Sequence, residues 1–252
     1  MTTMSKMRAA IVVAAVLIAG MSQASLAATS ADNGLPVSPA TDATDATGAT
    51  SIVDATPPGT KMGDLLIAIV SIQSVSGHGN AAQAGITPPS GWLLLTSKTS
   101  GTDLQLALYS KLASPADVGG GNNYVWNFND TFAASTEMEN FSQIGFHPID
   151  GSPSCQATAS SSTITAPSLT TGKDNDLSVA IWASASHQIP TLSNSSYSPG
   201  FEPGAAPAGR GPLPAFSSLA IAQSGTATGN QIAKIGTPAD NIGCQLNLSS
   251  LP

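Results

Sequence analysis

The chain reads as all-β: a β-sandwich of jelly-roll-like character, built from two pseudo-repeated halves behind an export signal. Three observations predict this. Short apolar or alternating segments recur at close intervals, with Pro, Gly, Asn and Asp between them. No segment between the leader and the C-terminus carries an apolar stripe at helical spacing. One turn-and-strand pattern is also written twice, first as Pro58-Gly59-Thr60-Lys61-Met62-Gly63-Asp64-Leu65-Leu66-Ile67-Ala68-Ile69-Val70. It returns as Gly172-Lys173-Asp174-Asn175-Asp176-Leu177-Ser178-Val179-Ala180-Ile181-Trp182.

Taken in order, residues 1–27 have the form of a secretory signal peptide. Lys6 and Arg8 form the positive leader, Ala9 to Gly20 the apolar stretch, and Ser25-Leu26-Ala27 the small-residue cleavage site. A spanning helix needs about 20 apolar residues. This stretch is shorter, so the expectation is a cleaved signal and a mature chain without a transmembrane segment. Residues 28–50 form a low-complexity lead-in, with Thr41-Asp42-Ala43-Thr44-Asp45-Ala46-Thr47 at its centre and almost no large apolar residue. Such a segment cannot bury a core and is expected to be a flexible tether, with Asp42 and Asp45 as solvated charges.

The sandwich domain is expected over residues 51–252. Leu65 to Ile72 is almost wholly aliphatic, the mark of a central strand covered on both faces. Further strands are expected at Trp92 to Thr96, Leu104 to Tyr109, Tyr124 to Asn129 and Met138 to Phe146. The series continues with Ser162 to Thr165, Leu177 to Ala183, Ser217 to Gln223, Gln231 to Ile235 and Gly243 to Leu248. Period two places Tyr124, Trp126 and Phe128 on one face. Asp64 and Asp176 lie 112 residues apart, and Leu106-Ala107 and Leu219-Ala220 lie 113 apart. A nearly constant offset predicts duplicated halves. The two aspartates are expected to accept backbone N–H groups at equivalent turns.

Composition excludes some functions. Beyond residue 27 the chain keeps six basic and fifteen acidic residues, 6 − 15 = −9, with Arg210 its only arginine. Phosphate contacts need clustered Lys and Arg, so nucleic acid is not an expected partner. Charged residues make up 9% of the chain, leaving a hydroxyl-rich surface whose weak self-repulsion would let copies associate, although the simpler expectation is a neutral polar coat. Cys155 and Cys244 are the only cysteines, and in an exported chain they predict one disulfide closing 89 residues. Two thiols and three scattered histidines lack the spacing of a zinc site, and no cofactor signature occurs.

The chain resembles a β-sandwich module that recurs in secreted bacterial surface proteins and in phage tail or fibre proteins. The likeness rests on Pro58-Gly59-Thr60 with Gly63-Asp64-Leu65-Leu66-Ile67-Ala68, on Thr87-Pro88-Pro89-Ser90-Gly91-Trp92, and on Leu106-Ala107-Leu108-Tyr109-Ser110-Lys111. His147-Pro148-Ile149-Asp150, Thr165-Ala166-Pro167-Ser168-Leu169-Thr170-Thr171, Asp176-Leu177 and Val179-Ala180 extend it. These motifs mark turns and core strands from about Ser51 to Leu248. The resemblance implies a non-enzymatic role in surface display, attachment or assembly, and it brings no catalytic residues. The cysteine pair and the loop from Pro199 to Pro214 depart from the pattern.

That loop holds five prolines and four glycines in sixteen residues, which predicts an exposed rim loop without helix or central strand. Phe201, Glu202 and Arg210 on it, with neighbouring Tyr197, are the candidate binding residues. Tyr124, Trp126, Trp92 and Trp182 could stack on sugars, but a strand face that apolar is expected to point inward. Glu137 and Glu139 share a face and are the first suspects for paired acid chemistry; the simpler expectation is the solvent side of an edge strand. His147 with Asp150 lacks a serine elbow to complete a triad. His78 and His187 read as a loop and a strand-end residue.

The expected function is therefore that of a secreted, non-catalytic protein acting in extracellular or cell-surface binding, adhesion, attachment or structure. Expected partners are glycan, a cell surface or copies of itself; a periplasmic address is the alternative. Two further readings stay open. One is a secreted polysaccharide hydrolase using Glu137, Glu139 or Asp150, and the other is a subunit of an extracellular filament or surface layer.

Overall fold

The computed structural model describes residues 48–142, 144–186, 188, 190–193, 198–201, 213–221 and 223–250. The first half contains β1 (Ala49–Ala55), β2 (Leu65–Ser74), β3 (Ile86–Thr87), β4 (Leu93–Ser100), β5 (Leu104–Leu112) and β6 (Asn123–Phe141). The second contains β7 (Ile144–Ala166), β8 (Asp176–Ser184), β9 (Thr191–Leu192), β10 (Ser198–Phe201), β11 (Leu213–Ile221) and β12 (Gln231–Ser250). Apart from two 3-10 turns, Ala81–Gln83 and Pro115–Asp117, the described residues hold no helix. None of them could therefore cross a membrane as a helix. β1 begins at Ala49, two residues inside the stretch expected as lead-in.

The duplication is present strand by strand. One sheet runs β1-β6-β2-β5-β4 with β3 also on β6, and the other runs β7-β12-β8-β11-β10 with β9 on β12. Adding six to each strand number converts the first order into the second. Backbone conformation repeats as well. Gly63 and Asn175, 112 apart, have φ of 88° and 61°; Gly48 and Ser160, also 112 apart, have 73° and 48°. These left-handed values suit Gly and are tolerated by Asn at a turn. One residue after the first pair, the Asp64 carboxylate accepts the Lys61 N–H at 2.7 Å and the Asp176 carboxylate accepts the Lys173 N–H at 3.2 Å. Both aspartates thus hold the turn that feeds the central strand.

The second landmark of the repeat is corrected by the register. Leu106 lies opposite Ser71, whereas Leu219 lies opposite Ser178, whose counterpart is Leu66. Leu66 faces Lys111, so Lys111 is the counterpart of Leu219, and the two Leu-Ala pairs are not equivalent. The offset drifts from 112 at β2 and β8 to 108 at β5 and β11 because the intervening loops differ in length.

Each half bends back over its own sheet. In the second, β7 pairs with β12 from Ile144 to Ala166, with a register break between Lys234 and Ala239. Beyond the break the ribbon returns across the outer face, where the Gln245 amide donates to the Ala166 carbonyl at 3.0 Å. A Cβ on Gly243 would meet the Thr165 carbonyl oxygen at 2.4 Å. In the first half the hydroxyl of Thr136, the counterpart of Gly243, donates to Asp54 at 3.3 Å.

Three cores follow from this folding. Leu66, Ala68, Val70 and Ile72 pack outward with Trp92, Tyr109, Tyr124, Trp126 and Phe132. Ile164, Ala180, Trp182, Ala233 and Ile235 form the smaller outer core of the second half. Between the sheets, Leu65, Ile67 and Ile69 share a cluster with their counterparts Leu177, Val179 and Ile181. β2 is thus covered on both faces, which is why it is aliphatic at successive positions. Cys155 and Cys244 are directly opposed across β7 and β12 and form the disulfide, tying the first strand of the second half to the last.

Candidate functional site

The rim loop is shorter than its composition implied. Pro199 and Phe201 lie in β10, which pairs with β11, and Leu213 and Pro214 open β11. Pro214 is tolerated there because β10 reaches only as far as Phe216, leaving β8 as its sole described neighbour. Of the candidate binding residues, Phe201 ends β10, while Glu202, Arg210 and Tyr197 lie outside the described residues. His187 lies outside them too.

Trp92, Trp126, Trp182, Tyr124 and Phe128 are buried, as the alternation predicted for Tyr124, Trp126 and Phe128. Trp92 meets Tyr124 and Trp126 edge-on, each at 5.3 Å between ring centroids, so these rings form core and no sugar platform. His78 is exposed and lies 3.8 Å from Asp130. The Asp150 carboxylate accepts the Gly172 N–H and sits against Asp176, whose acid is pushed up to about 7 by burial and by Asp150. No described hydrogen bond joins Asp150 to His147.

The expectation for Glu137 and Glu139 is overturned. Both lie on the inward face of β6, opposite Ile69 and Ile67, and are 1% and 5% exposed. An alternating strand has two faces, and here the solvent-side assignment chose the wrong one: Met138 and Thr136 point to the outer core instead. Neither Glu137 carboxyl oxygen has a hydrogen-bond partner. Burial raises the Glu137 acid well above the ordinary range, with Glu139 and Asp54 adding to the shift. Burial, then Asp54, raises Glu139 to about 8; burial raises Asp54 to about 7 despite bonds from Ala55 and Thr136. Burial favours the protonated form of all three and seals them inside a core, out of reach of a polymeric substrate.

Sequence reasoning missed the site that the structure does assemble, at the rim where β2 begins and β5 ends. Its frame is Asp117, fully buried at the end of the Pro115–Asp117 turn. Asp117 accepts hydrogen bonds from the Lys111 ammonium (2.6 Å), the Ser114 amide and hydroxyl (2.7 Å each), the Asn122 amide (2.9 Å) and the Tyr124 hydroxyl. Burial alone would raise its pKa, but the bonds from Lys111, Tyr124, Asn122 and Ser114 hold it well below the carboxylate range. Gly120 closes the frame, since a Cβ there would meet the Pro57 carbonyl oxygen at 2.7 Å. The Gly119 N–H bonds the Thr60 carbonyl and the Gly63 N–H the Ala113 carbonyl.

Around this rigid frame stand exposed apolar side chains: Met62 (71%), Leu93 (70%), Leu94 (56%), Leu112 (56%) and Val118 (52%). Met62 and Val118 sit on loops bonded to one another through that frame, Leu112 ends β5, and Leu93 lies opposite Ser110 on the edge strand β4. Single exposed apolar residues are ordinary, whereas a contiguous apolar group would be a candidate interaction surface. The sequence signal for it was Met62 and Val118, large apolar residues in Gly- and Pro-rich turns. Among the described residues no group of His, Cys, Asp and Glu is placed to hold a metal. No protein-family model, curated protein or solved structure matches the chain.

Proposed function

We propose that this chain is an exported, non-catalytic β-sandwich protein that works outside the cytoplasm in binding, attachment or structure, as the resemblance to surface and phage-tail modules implies. The observation that carries the reading is the apolar rim of Met62, Leu93, Leu94, Leu112 and Val118, held on a framework made rigid by Asp117. A surface of this kind gains by covering apolar area, at about 25 cal/mol per Å² buried. The disulfide fits an oxidising address, and the burial of Glu137 and Glu139 speaks against polysaccharide hydrolysis by that pair.

The test compares the chain with a Met62→Ser, Leu112→Ser, Val118→Ser variant, and separately with Phe201→Ala, Arg210→Ala. Binding to cell surfaces and glycan arrays is measured alongside self-association by light scattering. The rim variant is expected to lose binding or association while its melting temperature stays within about 2 °C, because the changed side chains are exposed. Full retention of every interaction by both variants would remove the rim loops as attachment surfaces. Turnover of a polysaccharide would sink the non-catalytic reading.

A further inference from the structure

The turn that feeds β8 departs from its counterpart in the first half. Before β2, the Asn140 amide donates to the Asp64 carboxylate at 3.5 Å. Register makes Asp176 and Asn247 the equivalents of this pair, since Leu66 faces Asn140 and Ser178 faces Asn247. In the second half, however, the Asn247 amide donates to the Thr170 carbonyl at 3.4 Å. A further carboxylate, Asp150, stands directly across β7 and β12 from it. Leu246, Leu248, Ile149 and Leu177 pack into the core between the sheets, so their neighbours Asn247, Asp150 and Asp176 share the outer face.

These three side chains converge on one stretch of main chain. The Gly172 N–H donates to Asp150, and the next N–H, that of Lys173, donates to Asp176 at 3.2 Å. Thr170, two residues before Gly172, carries the carbonyl held by Asn247. A Cβ on Gly172 would meet the Asp150 carboxylate oxygens at 2.6 and 2.8 Å, so the main chain lies hard against that carboxylate. Two acceptors are left over. Asp176 Oδ1 and Asn247 Oδ1 are buried with no hydrogen-bond partner, in residues 0% and 1% exposed. Buried acceptors without donors, beside a second carboxylate, call for positive charge. A proton shared by Asp150 and Asp176 serves one of these oxygens and leaves Asn247 Oδ1 bare. The Lys173 ammonium is turned to the Ser249 hydroxyl at 3.2 Å. Asp174, exposed on the same turn and accepting the Ser224 N–H at 2.7 Å, adds a third carboxylate against that single ammonium.

We propose that Asp150, Asp176 and the side-chain oxygen of Asn247 form a calcium site. Ca²⁺ takes about 6–8 oxygens and accepts carboxylates, amide oxygens and water together. Two carboxylates alone do not make a metal centre, and among the described residues no group of three His, Cys, Asp or Glu does so. Here the third protein oxygen is an amide, and water completes the shell. Gly172 and Lys173 are exposed and Asp150 is half-buried, which gives the ion an approach from solvent. Few protein ligands and much water put the site among the weaker calcium modules, with a Kd of about 10⁻⁴–10⁻³ M. The bound ion ties the turn over residues 170–176 to β7 and β12. It does for the second half what the bond from Asn140 to Asp64 does for the first.

Calcium chloride added to the full chain after treatment with a chelator tests this. Calorimetry should show one ion bound per chain, and calcium at about 10 times the measured Kd should raise the melting temperature by about 3–6 °C. Asp150→Asn keeps the side-chain size and can still accept the Gly172 N–H; it should bind calcium about 10-fold or more weakly. Asp103→Asn, in the turn between β4 and β5, should bind as the unmodified chain does. In nuclear magnetic resonance the amides of Gly172 and Lys173 should shift most during the titration, a readout that needs no variant and decides if Asp150→Asn does not fold. Largest shifts elsewhere, or equal binding by Asp150→Asn, would overturn the proposal. So would the lack of saturable binding up to about 10 mM calcium, which would leave a shared proton as the link between Asp150 and Asp176.

Discussion

The buried acids of β1 and β6 make a prediction with an unusual sign. Glu139 is raised from 4.5 to about 8 and Asp54 from 3.8 to about 7, each chiefly by burial. For an acid whose folded pKa lies above its unfolded one, the folded state holds the proton longer. Stability is therefore full below the unfolded pKa, falls as pH rises through the interval, and levels off above the folded pKa. Each group costs about 1.4 kcal/mol per pH unit inside its interval. Between pH 4.5 and 7 that is about 3 kcal/mol for Glu139 and about as much for Asp54. Against a total of about 5–15 kcal/mol for a domain, this is a large fraction. At about 2–4 °C per kcal/mol for a chain of this size, the melting temperature should fall by about 10 °C or more from pH 4.5 to pH 8. The assay is thermal unfolding followed by circular dichroism across that range, on the unmodified chain and on an Asp54→Asn, Glu139→Gln variant. The variant should lose part of the slope, with Glu137 and Asp176 carrying the remainder, and be the more stable protein at pH 8. A melting temperature that is flat, or higher at pH 8 than at pH 4.5, would refute the burial of these groups as neutral acids.

Three other outcomes are expected. Asp117→Ala leaves the half-buried Lys111 ammonium and the Tyr124 hydroxyl without their shared acceptor; it should cost about 3–5 kcal/mol in urea unfolding, while Lys111→Met costs less. Gly243→Ala places a methyl 2.4 Å from the Thr165 carbonyl oxygen and should destabilise by about 1–3 kcal/mol, whereas Thr136→Ala at the equivalent site should cost about 1 kcal/mol. Reduction of Cys155–Cys244, or its double Ala replacement, should lower stability by up to about 4–5 kcal/mol in the chain-entropy view, read as a drop in urea midpoint with a steeper slope from the less constrained unfolded chain.

The parts of the fold legible in the residues were those written in local physics. The aliphatic run of β2, the alternation of Tyr124, Trp126 and Phe128, and the Asp64 and Asp176 turns each carry their cause within a few neighbouring residues. The long strand β7 was not legible as one element, because Pro148, Gly151, Pro153 and a run of serines mask it. It is held as a strand by its ladder with β12, a contact distant in sequence. The same limit hid the facing of Glu137 and Glu139. Strand alternation says that they share a side but not which one, and only packing against the second sheet decides it. The Asp117 frame draws on Lys111, Ser114, Asn122 and Tyr124, which become a set only once β5 and β6 stand in place. The apolar rim likewise joins the turn before β2, the end of β5 and the edge of β4.

The face shared by the two sheets has a bearing on how such a molecule arises. It is built from corresponding residues of both halves, and contacts between β5 and β12 are mirrored by contacts between β6 and β11. Surfaces that meet like with like are the signature of two-fold dimers. A solitary half would leave Leu65, Ile67 and Ile69 in water and could hide them only by capturing a twin. Joining the copies by the few residues between Phe141 and Ile144 replaces that search with a tethered encounter at an effective concentration of about millimolar. Assembly of the inner core is thereby made independent of how dilute the protein becomes.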